Sequence, residues 1–214
     1  MAAEATPFAA AGSVRGFLHR PDVAIGAGLV LTHGAGGNCN GALLVAAAEA
    51  FAVAGVHVLR IDLPFRQKRP KGPPSPSGAA ADRAGLRDAV GAMRDLVPGG
   101  VTLGGQSYGG RQATMLAADE PGPIDALLLF SYPLHPPGKP ERMRDEHFPR
   151  LRAPAVFVQG TSDPFGTIGE IKAALKLIQV PVVLMPIDGA SHDLRRGRID
   201  LAPIVAATIS HIQR

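Results

Sequence analysis

The sequence holds one cysteine, no tryptophan and two tyrosines in 214 residues, and each scarcity removes a class of function. A lone Cys39 excludes an internal disulfide and any thiolate cluster for zinc or iron-sulfur. The basic runs "RQKRPK" (Arg66 to Lys71) and "RRGR" (Arg195 to Arg198) have no aromatic residues interleaved on which bases could stack, so no nucleic-acid partner is expected. Long apolar runs are missing too. No uncharged stretch approaches the roughly 20 residues a membrane-spanning helix needs, and no membrane partner is expected. The opening "MAAEATPFAAAG" lacks a basic leader and a long apolar segment, so it does not read as a secretory signal, and the expected location is cytoplasmic. The length fits a single domain over residues 1–214, with 1–12 as a flexible N-terminal segment.

What is present is an alternation of short β-branched runs with longer alanine- and leucine-rich ones, the pattern of strand-helix-strand units. It predicts an α/β fold with a mainly parallel central sheet of about six to seven strands and helices on both faces. Strands are expected near residues 14–19, 27–33, 56–63, 101–105, 124–131, 153–160 and 180–187. Helices are expected near 41–55, 79–96, 108–119, 168–178 and 199–212. The stretch Pro64 to Gly78, rich in proline and glycine, reads as a long loop without regular structure.

"VTLGGQSYGGRQATMLAA" carries the chemistry. It opens as a strand, crowds glycines around Ser107 and continues as a helix. A nucleophile leaving a strand this abruptly takes a strained backbone, and the residues two before and two after it approach closely. Gly105 and Gly109 occupy those places. Asp163 in "GTSDPFG" and His192 in "GASHDL" follow later strands, so all three fall at the carboxyl ends of the sheet, where reactive groups of open α/β sheets gather. Their order, Ser then Asp then His, is that of hydrolase triads. Imidazole, with an ordinary pKa of about 6.5, can take the serine proton, and a carboxylate fixes its tautomer. Asp188 and Asp193 are rival acids, and Asp163 has the alternative of capping the helix that follows it.

An oxyanion needs two donors. The amide of Tyr108, at the helix start, offers one, and the glycine-rich "THGAGGN" offers Ala35, with Gly36 as its rival. His33 is expected to tie this loop down. The same loop does not match a phosphate-binding pattern, so no nucleotide and no cofactor are expected. Arg66 and Lys68 leave the same rim and are candidate substrate-binding residues for an anionic small molecule. Arg111, at the start of the helix after Ser107, is expected to make structural contacts with the neighbouring loops.

Together "LTHGAGGN", "GGQSYGGR", "GTSDPFG" and "GASHDL" resemble the serine α/β-hydrolase superfamily. Within it, "LPFRQKRPKGPP" and "YPLHPPGKPERMRDEHFP" resemble a small group related to dienelactone hydrolases. That group includes the proteins called testis-expressed thirty and the third subunit of the NSL chromatin complex. The resemblance implies the α/β-hydrolase fold and the triad roles of Ser107, Asp163 and His192. Dienelactone hydrolases use cysteine as nucleophile, whereas this elbow carries serine, so their substrate is not carried over. Cys39 reads as small packing. The connection from Tyr132 to Leu151 is too short and proline-rich for a cap domain. The expected activity is hydrolysis of an ester or thioester of a small soluble molecule. The alternatives are a peptidase of short substrates or an inert scaffold of the same fold. Oligomeric state is left open.

Overall fold

The computed structural model describes residues 5–10, 12–195 and 199–212. Among these, eight strands form one sheet: β1 (Ala5–Ala9), β2 (Arg15–His19), β3 (Gly28–Thr32), β4 (His57–Ile61), β5 (Val101–Gln106), β6 (Ala126–Phe130), β7 (Ala155–Gly160) and β8 (Val182–Ile187). Their spatial order is β1-β2-β4-β3-β5-β6-β7-β8. The pairs β1/β2 and β2/β4 are antiparallel, and all others are parallel.

The central strands GLVLT, ALLLF and AVFVQG are buried at every position, because helices cover both faces of the sheet. Alternate residues point to opposite sides. Leu29, Leu31, Leu128, Phe130, Val156 and Val158 pack with α1 (Ala42–Val53) and α6 (Leu201–Ile212). Val30, Leu103, Leu127, Leu129 and Phe157 pack on the other side with α3 (Ala79–Arg94), α4 (Tyr108–Asp119) and α5 (Ile168–Leu175). Helix α1 turns Leu44, Ala47, Ala48 and Phe51 inward, the i, i+3, i+4, i+7 spacing of one helical face. Burying a side chain such as Phe51 contributes about 1.5–3 kcal/mol. The helix is followed by Gly55 at φ +91°, where a Cβ would lie 2.8 Å from the Ile25 side chain.

Two expectations are corrected. The sheet has eight strands rather than six to seven, and the addition is β1, formed by residues 5–9 of the segment expected to be flexible. Its Pro7 discourages a strand reading, yet β1 pairs only with β2, and at a sheet edge a missing donor costs little. The Pro64 to Gly78 stretch also contains regular structure: the one-turn helix α2 (Pro64–Lys68) and a 3-10 turn (Pro76–Gly78). Pro64 sits in the first turn of α2, where its absent N–H is not needed, and Phe65 and Arg66 are buried. After β6 the connection holds only a short 3-10 turn (Phe148–Arg150) before β7, so no cap domain covers the carboxyl edge.

Candidate active site

Ser107 stands between β5 and α4 at φ 50° and ψ −115°, a strained conformation for a residue with a side chain. Its surroundings enforce the turn. A Cβ on Gly105 would lie 2.7 Å from Gly109 C and Gly110 N, and one on Gly109 would lie 2.5 Å from the His33 carbonyl oxygen. The Ser107 amide donates to Phe130 O at 2.9 Å, pinning the elbow to β6.

Three distant segments meet at this serine. His192 Nε2 lies 2.7 Å from Ser107 Oγ, and His192 Nδ1 lies 3.0 and 2.9 Å from the two Asp163 carboxylate oxygens. The Asp163 side chain is fully buried, whereas that of His192 is 22% exposed. Its carboxylate also accepts from the Phe165 amide at 2.9 Å and from Gln159 Nε2 at 2.8 Å. A buried carboxylate with this many donors is fixed in one place. It therefore requires the proton at Nδ1 and leaves the Nε2 lone pair facing the serine hydroxyl. Gly160 makes room for this pairing: a Cβ there would lie 2.3 Å from Ala190 O, in the loop that carries His192.

The rivals stand elsewhere. Asp188 accepts from Thr161 Oγ1 at 3.3 Å, and Asp193 accepts from the Arg195 amide at 3.1 Å. Helix α5 is capped by Thr167 in a capping box with Glu170, so Asp163 has no capping role there.

A family description, the alpha/beta hydrolase domain, matches residues 26–202. The chain belongs to that family. Solved structures agree on the fold. A serine hydrolase homologue from Coxiella burnetii is 19% identical, with 98% of this chain and 97% of that one covered at a TM-score of 0.75. A dienelactone hydrolase from Anabaena variabilis is 22% identical, with 98% and 99% covered at 0.72. A serine hydrolase without lid from Xanthomonas campestris is 19% identical, with 99% and 94% covered at 0.71.

In this alpha/beta hydrolase domain Ser107 and His192 line a cavity of about 1050 Å³, together with Ala35, Gly36 and Tyr108. Among the described residues the amides of Ala35, Gly36 and Tyr108 find no protein acceptor. Their neighbours are fixed. The Gly34 carbonyl accepts from His33 Nδ1 at 2.8 Å and from the Gly37 amide at 3.1 Å. The Ala35 carbonyl accepts from Arg66 Nη2 at 2.8 Å. Since C=O and N–H of a trans peptide point in opposite directions, these bonds set the directions of the Ala35 and Gly36 N–H groups. His33 serves as the expected tie, because the Leu63 amide donates to its Nε2 at 3.1 Å. That bond needs a lone pair at Nε2, so the ring is neutral despite Asp62 Oδ1 at 3.6 Å, and burial lowers its pKa in the same sense. Cys39 is buried, and burial pushes its thiol up to about 12, in keeping with packing rather than nucleophilic use.

Neither Arg66 nor Lys68 lines the cavity that holds Ser107 and His192. Arg66 is 6% exposed, and its guanidinium donates to the carbonyls of Gly37 (2.8 Å), Ala35 (2.8 Å), Arg69 (3.1 Å) and Gly72 (3.1 Å). The turn of α2 folds it inward against the glycine loop. Lys68 is exposed and lines a separate cleft of about 290 Å³ beside Pro64 and Phe65. Of the second basic run, Arg196 to Arg198 lie outside the described residues. Arg111 makes the expected contact with a neighbouring loop, an ion pair with Glu146 at 3.6 Å, while its Nε is buried without a hydrogen-bond partner.

Three supporting residues escape a sequence reading. Gln159 joins Asp163 to the Tyr132 amide, which it accepts at 2.9 Å; a polar residue closing the apolar run "AVFV" is the signal that could have marked it. Phe165 stacks on His192 with ring centroids 4.0 Å apart. Asp82, fully buried on α3, accepts from Tyr108 Oη at 2.8 Å and from the Phe65 amide at 3.0 Å. Burial and that carboxylate both push the Tyr108 phenol upward, so it stays a donor.

Proposed function

We propose that this domain is a serine hydrolase that cleaves a carboxylic ester or thioester of a small molecule through an acyl-enzyme on Ser107. The reading rests on one observation, the continuous hydrogen-bond chain from Asp163 through His192 to Ser107 Oγ. Ser107 Oγ attacks the acyl carbon while His192 Nε2 takes its proton. The carbonyl oxygen becomes an oxyanion beside the amides of Tyr108 and Ala35, or Gly36 in its place, which act as donors already aimed before the charge develops. Asp163 stabilises the imidazolium. Collapse breaks the bond to the leaving alcohol or thiol, which receives the proton from His192. Water, deprotonated by the same imidazole, then releases the acid and restores the serine.

The open edge above the site favours a substrate that needs no lid to retain it. Assignment to the dienelactone-hydrolase-related group belongs to this proposal and rests on the quoted motifs. A fluorophosphonate probe tests the reading. Wild-type protein should be labelled and folded Ser107→Ala protein should not; equal labelling of both would overturn it.

A further inference from the structure

The cavity wall carries cationic charge that the triad does not use. Arg111 lies one helical turn beyond Ser107 on α4, its amide donating to Ser107 O at 2.9 Å, and its side chain lines the same cavity. That side chain is only 25% exposed, and the Nε, buried, meets no acceptor. Its ion-pair contact, Glu146 Oε1, stands 3.6 Å from Nη2 on a side chain that is 63% exposed, too long for a hydrogen bond and open to solvent screening. Arg144, from the connection after β6, lines the cavity beside it and donates to Pro133 O at 3.2 Å. Burial and the nearby positive charge of Arg111 both lower the pKa of Arg144, so each guanidinium raises the energy of the other. On another part of the wall Asp193 and Arg195 offset one another at 3.7 Å. Arg111 and Arg144 both line this part of the wall and Glu146 does not, so the wall here is cationic and suits an anion. Guanidinium donors in a fork match a carboxylate in geometry.

We propose that Arg111 and Arg144 form an anion subsite, and that the substrate is an ester or thioester bearing a free carboxylate away from the scissile bond. This rests on the serine hydrolase reading and narrows its substrate class.

The test compares 4-nitrophenyl hydrogen adipate with 4-nitrophenyl hexanoate, which replaces the terminal carboxylate by methyl. The ratio of kcat/KM values, adipate over hexanoate, should be about tenfold or more in wild type, fall with added salt, and approach one in Arg111→Gln and Arg144→Gln. A wild-type ratio near one, or a ratio unaltered by both substitutions, overturns the subsite and leaves the hydrolase reading standing. If neither ester is cleaved and Ser107 takes no probe, the hydrolase reading fails instead. The subsite is then judged by calorimetric titration of Ser107→Ala protein with monomethyl adipate: saturable binding weakened about tenfold by Arg111→Gln supports it, and absence of binding overturns it.

Discussion

Arg66 and Arg111 both stand at the carboxyl rim of the sheet, and they differ in where their donors go. Arg66 gives hydrogen bonds to four backbone carbonyls around the glycine loop, and little of it reaches solvent. Arg111 faces the cavity with a buried, unpartnered Nε and one loose ion pair. The first is a brace and the second is a free donor set. Charge on a loop therefore says little about ligand binding until each donor has been traced to its acceptor.

Arg66→Met should have the largest effect among the tests of this contrast. Removing a charged donor from four carbonyls should lower stability by about 2–4 kcal/mol, measured by urea denaturation. It should also reduce kcat by roughly tenfold to a hundredfold, as the Ala35 and Gly36 amides lose their aim. Unchanged stability and kcat would show that the loop holds itself. Arg66→Lys keeps the charge but not the fork, and should recover less than half of the lost stability, about 1 kcal/mol. Full recovery would mean that charge alone matters. Arg111→Met should change stability by about 0.5 kcal/mol or less, since an exposed ion pair contributes little; a loss as large as that of Arg66→Met would erase the contrast.

A last effect appears only in acid. His147 donates through Nε2 to Thr114 Oγ1 at 2.8 Å, whose own hydroxyl proton is used on Arg111 O, and its buried Nδ1 has no acceptor for a second proton, so the ring is neutral with Nε2–H. Burial holds its pKa down to about 4, opposed by Glu146 and aided by Arg111. His19 is likewise held to about 4 by burial and by Arg60. The unfolded chain takes up protons on both rings below about pH 6.5, whereas the native state does so only near pH 4, so stability should fall as pH drops through that window. His147→Gln should remove its own part of that pH dependence and leave the parts of His19, His33 and His57, which burial also lowers. An unchanged dependence would remove His147 from the account.

Much of the site was legible because its demands act on the chain locally. The elbow requires small residues at 105 and 109, and the parallel sheet puts the ends of β5, β7 and β8 on one rim, so the convergence of Ser107, Asp163 and His192 follows from topology. The brace was not legible. Which way Arg66 turns depends on the single turn of α2 and on carbonyls from Ala35 to Gly72 that meet only in the folded chain. Gln159 and Asp82 escaped for a similar reason, as a polar strand end and an acidic first helical turn have ordinary local uses. Strand β1 was hidden by Pro7, whose cost vanishes only once β1 is known to lie at the edge.

The central claim is that Ser107 forms a covalent acyl intermediate. Protein mixed with 4-nitrophenyl acetate, quenched in acid during the first turnovers and digested for peptide mass spectrometry should carry an acetyl group on Ser107. An acetyl group confined to another residue, or ester cleavage at an undiminished rate by Ser107→Ala, would contradict it.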